Sequence, residues 1–247
     1  MKNLILHIPH SSTTIPMTDG YVGSPTEIQN EILKLTDWYT DELFYSEMDF
    51  MIIAQFSRIF CDVERFENDT DEVMAKVGMG ATYERFDNGT VLRTITPALR
   101  EHIMNEYYWK HHNHFTNVVK EQLAKDGSCL ILDCHSYPST PVIRDLDQTS
   151  IRPDFNIGID SFHTPPQLIE ASINYFEQKG YSLGIDWPYS GTIVPMNYFQ
   201  KNDKVHSIML EINRKLYLEE PTNKKSKPFF ETQQIVNGYL KMLRALI

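Results

Sequence analysis

Residues 129–138, Cys129-Leu-Ile-Leu-Asp-Cys-His135-Ser-Tyr-Pro138, decide how the rest of the chain is read. Aliphatic and thiol side chains run without a polar break to Asp133, the pattern of a strand buried on both faces inside a parallel sheet. On that reading His135 stands just past the strand end. Ligands of open α/β sheets gather in the crevice outside the carboxyl ends of the strands, so an imidazole delivered there is placed where chemistry is done. A single histidine after a strand is more often a structural cap. The balance turns on whether other strands bring chemical groups to the same edge.

Working outward, they do. Leu4 to Ile8 predicts a short strand ending in Pro9-His10-Ser-Ser-Thr13, which Pro9 keeps out of helix. Phe50–Ala54 and Arg58–Val63 predict two more, the second closing on Asp62-Val-Glu-Arg65, and Val205–Glu211 predicts a buried strand running into Ile212-Asn-Arg214. Four predicted strands thus end in His10, Arg65, His135 and Glu211. Phe155–Ile159 and Tyr181–Ile185 add two short ones.

Helices alternate with these strands. From Thr26 the residues Ile28, Ile32, Leu35, Tyr39 and Leu43 keep helical spacing, which puts Asp37 and Asp41 one turn apart on one long helix. Thr96-Pro97 opens a second helix that Asp126-Gly127 ends. Thr164-Pro165 opens a third that Gly180 stops, and a last one runs from near Phe230 to Ile247. His111, His112 and His114 ride on the second, where adjacent positions point in different directions, so packing or surface roles are expected. Residues 66–96 read as a long excursion over the site and 138–154 as another loop. The alternation, without repeats or a linker, predicts one α/β domain over residues 1–247, a three-layer α/β/α arrangement around a mainly parallel mixed sheet.

Bulk properties narrow the partners. A net charge of −10 opposes general affinity for nucleic acid or anionic membrane. The apolar run in Met1–His7 is too short for a signal peptide and no window approaches a membrane span, so a cytoplasmic protein with a small-molecule partner is expected. Cys61, Cys129 and Cys134 are odd in number and lack CxxC spacing, which suits buried apolar roles.

Two imidazoles at one edge suit zinc, which takes about three protein ligands and an open position for water when catalytic. Asp37 is the candidate oxygen ligand because its helix follows the His10 loop; Asp41, or only two protein ligands, are the alternatives. A serine nucleophile at Ser136 lacks the G-x-S-x-G turn it would need.

These residues also carry a resemblance. His7-Ile-Pro-His10-Ser-Ser-Thr-Thr-Ile-Pro16, Asp37-Trp38, Ser57-Arg58 with Asp62-Val-Glu-Arg65, His135-Ser136 and Glu211-Ile-Asn-Arg214 together resemble the N-formylglutamate amidohydrolase family over nearly the whole length. That family is similar in fold to the zinc carboxypeptidases and to the succinylglutamate desuccinylase and aspartoacylase group. The resemblance implies a zinc-dependent hydrolase that removes a formyl or other small acyl group from an N-acyl amino acid such as N-formylglutamate, in the setting of histidine degradation. It implies that His10 and His135 hold the metal and that Glu211 is the general base and acid. It also implies that Arg65, with Arg58 in reserve and Ser136 and Arg214 alongside, binds the substrate. The carboxypeptidase His-x-x-Glu pair reads His10-Ser-Ser-Thr13 here, so Asp37 as ligand rests on placement alone. Two other readings remain open at this point. One is a carboxypeptidase-like or amidase activity on peptides or cell-wall fragments; the other is a non-catalytic small-molecule binding protein that keeps the fold without a complete zinc shell. For Glu211 itself the structural alternative is a pair with Arg214.

Overall fold

The computed structural model describes residues 3–246. Six strands form one sheet in the order β2 (Phe50–Ile53), β1 (Ile5–Ile8), β3 (Cys129–Tyr137), β6 (Val205–Asn213), β4 (Phe155–Gly158) and β5 (Leu183–Ile185). The first four run parallel, β4 is antiparallel to β6, and β5 follows β4, so the sheet is mixed and mainly parallel.

Side-chain alternation along the strands divides the core into two layers. Leu4, Leu6 and Ile8, with Leu130, Leu132, Cys134, Ile208, Leu210 and Ile212, pack under α5 (Pro166–Lys179) and α6 (Phe229–Arg244). Ile5, Ile131 and Val205 pack on the other face against Phe115, Val118 and Val119 of α4 (Trp109–Asp126). Two residues further along each strand, that second face turns polar. It carries His7, stacked on Phe115, then Asp133, His135 and Glu211. Register brings His7 beside Asp133, and His135 beside Glu211.

Several expectations are corrected. His135 lies inside β3, not past its end, because the ladder to β6 continues through Tyr137 and Asn213. The helix from Thr26 is two: α1 (Pro25–Leu35), opened by a Ser24–Glu27 capping box, and α2 (Thr40–Leu43). Thr36 is extended, Tyr39 takes the left-handed conformation with φ of 62°, and Asp37 sits in the break with its N–H donating to the His10 carbonyl at 3.0 Å. Residues 58–63 form no strand; their backbone closes into local turns, with Phe60 and Cys61 N–H donating to the Ser57 carbonyl and Arg65 N–H to that of Asp62. The helix from Thr96 begins as α3 (Pro97–Ile103), widens through one π-helical turn at Met104–Tyr108, and continues as α4 to a left-handed Gly127. The last helix ends at Arg244, and Ile247 lies outside the described residues. The three cysteines are buried and free. Among the described residues no helix is long and apolar enough to cross a membrane.

Candidate active site

Three residues predicted from separate parts of the sequence converge above the carboxyl ends of β1 and β3. His10 follows β1, His135 projects from β3, and Asp37 reaches in from the break between α1 and α2. One ligand atom from each lies within 4.8 Å of the others. Asp37 Oδ2 stands 3.2 Å from His135 Nδ1 and 3.6 Å from His10 Nδ1. His10 Nδ1 is buried with no hydrogen-bond partner. Asp41 is not part of this group.

The far nitrogen of each imidazole is fixed by a carboxylate. His10 Nε2 meets Asp62 Oδ1 at 2.8 Å, and His135 Nε2 meets Asp133 Oδ1 at 3.0 Å. Such partners orient a histidine for a metal and raise its basicity. Neither aspartate was anticipated as part of the site. Asp133 carried a signal, since two residues before His135 on a strand means the same face; Asp62 was hidden by the mistaken strand.

Asp62 is in turn held by Arg58, whose Nε and Nη2 donate to Oδ2 at 3.2 and 3.0 Å, and by the Tyr83 hydroxyl at 2.9 Å. Although burial opposes its charge, Arg58, His10 and Arg65 hold its carboxyl well below the usual range. Asp37 is held likewise. Arg214 Nη2 donates to Asp37 Oδ1 at 2.9 Å, Nη1 to the Lys34 carbonyl at 2.7 Å, and Nε to Ser136 Oγ at 3.4 Å, while the Ser136 N–H faces Asp37 Oδ2 at 3.3 Å. Arg58, Ser136 and Arg214, expected at the substrate, line the cavity, with the Arg58 and Arg214 guanidiniums also bonded to Asp62 and Asp37. Arg65 differs. It lies 3.5 Å from Asp62 Oδ2 and 3.9 Å from Glu72 Oε1, and its guanidinium has no hydrogen-bond partner among the described residues.

A second group lies alongside. His7 Nδ1 stands 3.0 Å from Asp133 Oδ1 and 2.9 Å from Glu64 Oε1, and His7 Nε2 is 2.9 Å from His111 Nε2. Burial disfavours a charged imidazole, yet Asp133 and Glu64 push His7 up to about 9. His111, buried and facing that cation, is held well below the ordinary histidine value, so it accepts the His7 Nε2 proton. His111 is thus a packing residue with a defined hydrogen bond, and His114 is exposed.

Glu211 completes the face. It is 6 % exposed, its Oε2 has no hydrogen-bond partner, and burial, with Asp37 and Asp133 adding to it, pushes its carboxyl up to about 8 against the pull of His135 and Arg214. The alternative partner, Arg214, is engaged with Asp37. His10, Asp37, Arg65, Asp133, His135 and Glu211 line a cavity of about 510 Å³, whereas His7, Asp62 and His111 lie outside its lining.

Comparison with known proteins follows the same outline. A sequence model of the N-formylglutamate amidohydrolase family matches residues 2–218. The N-formylglutamate deformylase of Pseudomonas aeruginosa is 23% identical over 255 residues, covering 99% of this chain and 91% of that protein. That of Pseudomonas putida is 22% identical, covering 99% and 90%. The crystal structure of an N-formylglutamate amidohydrolase from Ralstonia eutropha JMP134 superposes with a TM-score of 0.87 at 22% identity, covering 100% of this chain and 95% of the other, which shows a shared fold. With the family pattern spanning all but the last tenth or so of the sequence, the chain belongs to the N-formylglutamate amidohydrolase family.

Proposed function

We propose that this protein is a metal-dependent amidohydrolase that removes a formyl or other small acyl group from an N-acyl amino acid. The observation that carries the reading is the meeting of His10 Nδ1, His135 Nδ1 and Asp37 Oδ2 beside a buried, unbonded oxygen of Glu211. Two imidazoles and a carboxylate, each oriented from behind, are a donor set that fits zinc. The likeness to zinc carboxypeptidases expected from the sequence belongs to this reading and would require the same three-ligand pattern. When bound, a divalent cation at this position supplies Lewis-acid stabilisation of the acyl oxygen and lowers the pKa of a water molecule.

The chain's own residues supply the rest. Glu211, made a stronger base by burial, takes a proton from the attacking water and returns it to the amine nitrogen as the carbon–nitrogen bond breaks. Arg65 lines the cavity with only long ion pairs to Asp62 and Glu72, and its guanidinium is the group offered to the substrate carboxylate.

The test is formate release from N-formyl amino acids by protein of known metal content. Hydrolysis that is lost on chelation and restored by zinc at one equivalent is the expected result. A protein carrying one metal per chain that cleaves no N-acyl amino acid would defeat the proposal.

A further inference from the structure

Five lysine and arginine side chains line the cavity: Lys34, Arg58, Arg65, Arg144 and Arg214. Four of them face a carboxylate of the protein. Lys34 is paired with Asp87 at 3.0 Å, Arg58 with Asp62 at 3.0 Å and Arg214 with Asp37 at 2.9 Å, while Arg65 keeps its longer pairs with Asp62 and Glu72. Arg144 is the exception, with no carboxylate oxygen of the described residues within ion-pair distance. In a chain of net charge −10, an arginine on the wall of the active-site cavity without an acidic partner calls for a reason.

Arg144 is nevertheless held in place. Asp87, 1 % exposed, accepts the backbone N–H groups of Ile143 and Arg144 at 3.2 and 2.9 Å, which fixes the chain on either side. The guanidinium donates from Nε to the Asp87 carbonyl at 2.9 Å and from Nη1 to the Val77 carbonyl. These neutral partners orient the fork without cancelling its charge. They leave the second N–H of Nη1 and both of Nη2 unspent among the described residues. Gly89 gives the fork room, since a Cβ there would stand 2.6 Å from Nη2.

The two loops that form much of the rim, residues 66–96 and 138–154, meet at this point, and they set Arg144 at a distance from Arg65. Both arginines touch one 3₁₀ turn, Val73–Val77. Arg65 lies 3.9 Å from Glu72 Oε1, which caps the start of the turn by accepting the Met74 N–H, and Arg144 bonds the carbonyl at its end. Five residues rising about 2 Å each put the two ends on the order of 10 Å apart. That span leaves room for two carboxylates of one small molecule.

We infer that Arg144 is a specificity-determining residue that receives a second carboxylate, so that an N-acyl acidic amino acid binds with its α-carboxylate at Arg65 and its side-chain carboxylate at Arg144. The inference rests on the amidohydrolase reading above and deepens it. A fork already oriented by two carbonyls gains charge-assisted hydrogen bonds from such a ligand at little further cost in freedom, whereas a neutral side chain gains no ion pair there.

The experiment measures kcat and KM of the metal-loaded protein on N-formyl-L-glutamate and N-formyl-L-glutamine, which differ in charge at nearly constant shape. The wild type should favour the glutamate by at least about tenfold in kcat/KM, the scale of one hydrogen bond to a charged group. Arg144→Ala should remove most of that ratio through a raised KM for the glutamate. Arg144→Lys, which keeps the charge and loses the fork, should fall between, with circular dichroism reporting an intact fold for each variant. Equal kcat/KM of the wild type on the two substrates would overturn the inference. So would variants that keep the wild-type ratio, or that lose kcat/KM equally on both substrates, the mark of a residue that only holds the loops together. Failure of the wild type to cleave any N-formyl amino acid would strike the amidohydrolase reading itself, and the role of Arg144 with it.

Discussion

Two histidine–carboxylate groups stand side by side on one face of the sheet, and they differ in which of their donor atoms are already bonded. In the first, His10, Asp37 and His135 turn nitrogen and oxygen atoms toward one point, and His10 Nδ1 is left without a hydrogen bond. In the second, His7, Glu64 and Asp133 are equally close, yet both ring nitrogens of His7 are engaged, one on Asp133 and the other on His111. The difference is the open donor, His10 Nδ1. Nearby carboxylates favour a charged imidazole in both groups, raising His7 to about 9 and His135 well above the ordinary histidine value against the cost of burial. Proximity of ligand types is therefore a weak criterion for a metal site; unbonded donor atoms and fixed far nitrogens discriminate better.

The largest effect expected from this contrast is at the first group. His10→Ala and His135→Ala should each lose the metal, by elemental analysis, and with it turnover. Full occupancy in either variant would break the comparison at its root. Next in size, Glu211→Gln should keep the metal and the fold while kcat falls by roughly 10²–10⁴, the usual worth of positioned proton transfer. A near-normal kcat would remove Glu211 from the chemistry.

The smallest effect sharpens the contrast from the other side. His7→Gln should retain one metal per chain, because His7 is not among the converging ligands. Its signature is in stability. With the folded pKa raised from 6.5 to about 9, the folded state holds a proton that the unfolded state has released between those values. The stabilisation from His7 is therefore fully present below pH 6.5 and lost as pH rises through 9. It amounts to a few kcal/mol, because each tenfold gain in proton affinity on folding contributes about 1.4 kcal/mol. Thermal melts from pH 6 to 10 should show the wild type losing stability relative to His7→Gln across that window. Parallel curves would deny His7 its charge, and loss of metal from His7→Gln would make the second group a ligand set too.

Much of this was legible in the sequence because burial and alternation are local properties. The apolar runs located all six strands, but only His10 follows a strand end; His135 and Glu211 lie within β3 and β6, two residues before their ends. What escaped notice was set by distant contacts. Thr36-Asp-Trp-Tyr39 continues the helical period of Ile28, Ile32 and Leu35, and only the bond from the Asp37 N–H to the His10 carbonyl, with the left-handed Tyr39, stops the helix. Asp37 does lie beside His10 and His135, but it reaches them from a break between helices and not from a helix face. Ile59, Phe60, Cys61 and Val63 have the composition of a strand, but their backbone turns on Ser57 and their side chains are buried in the core, so periodicity alone misread them. The ion pairs of Arg58 with Asp62 and Arg214 with Asp37 have no sequence signature, because they are set by the folded chain.

The loops that form the rim hold none of the three converging ligands and not Glu211, which lie on β3 and β6, at the end of β1 and in the α1–α2 break. The molecule thereby separates two kinds of inheritance. Phe66, Leu146 and Met196 line the cavity on loops, so substitutions there leave the four residues on the strands and in the α1–α2 break in place. Descendants of one ancestral hydrolase are free to exchange diets by editing loops, and a designer seeking a new N-acyl substrate would begin with residues 138–154 and leave the strands untouched.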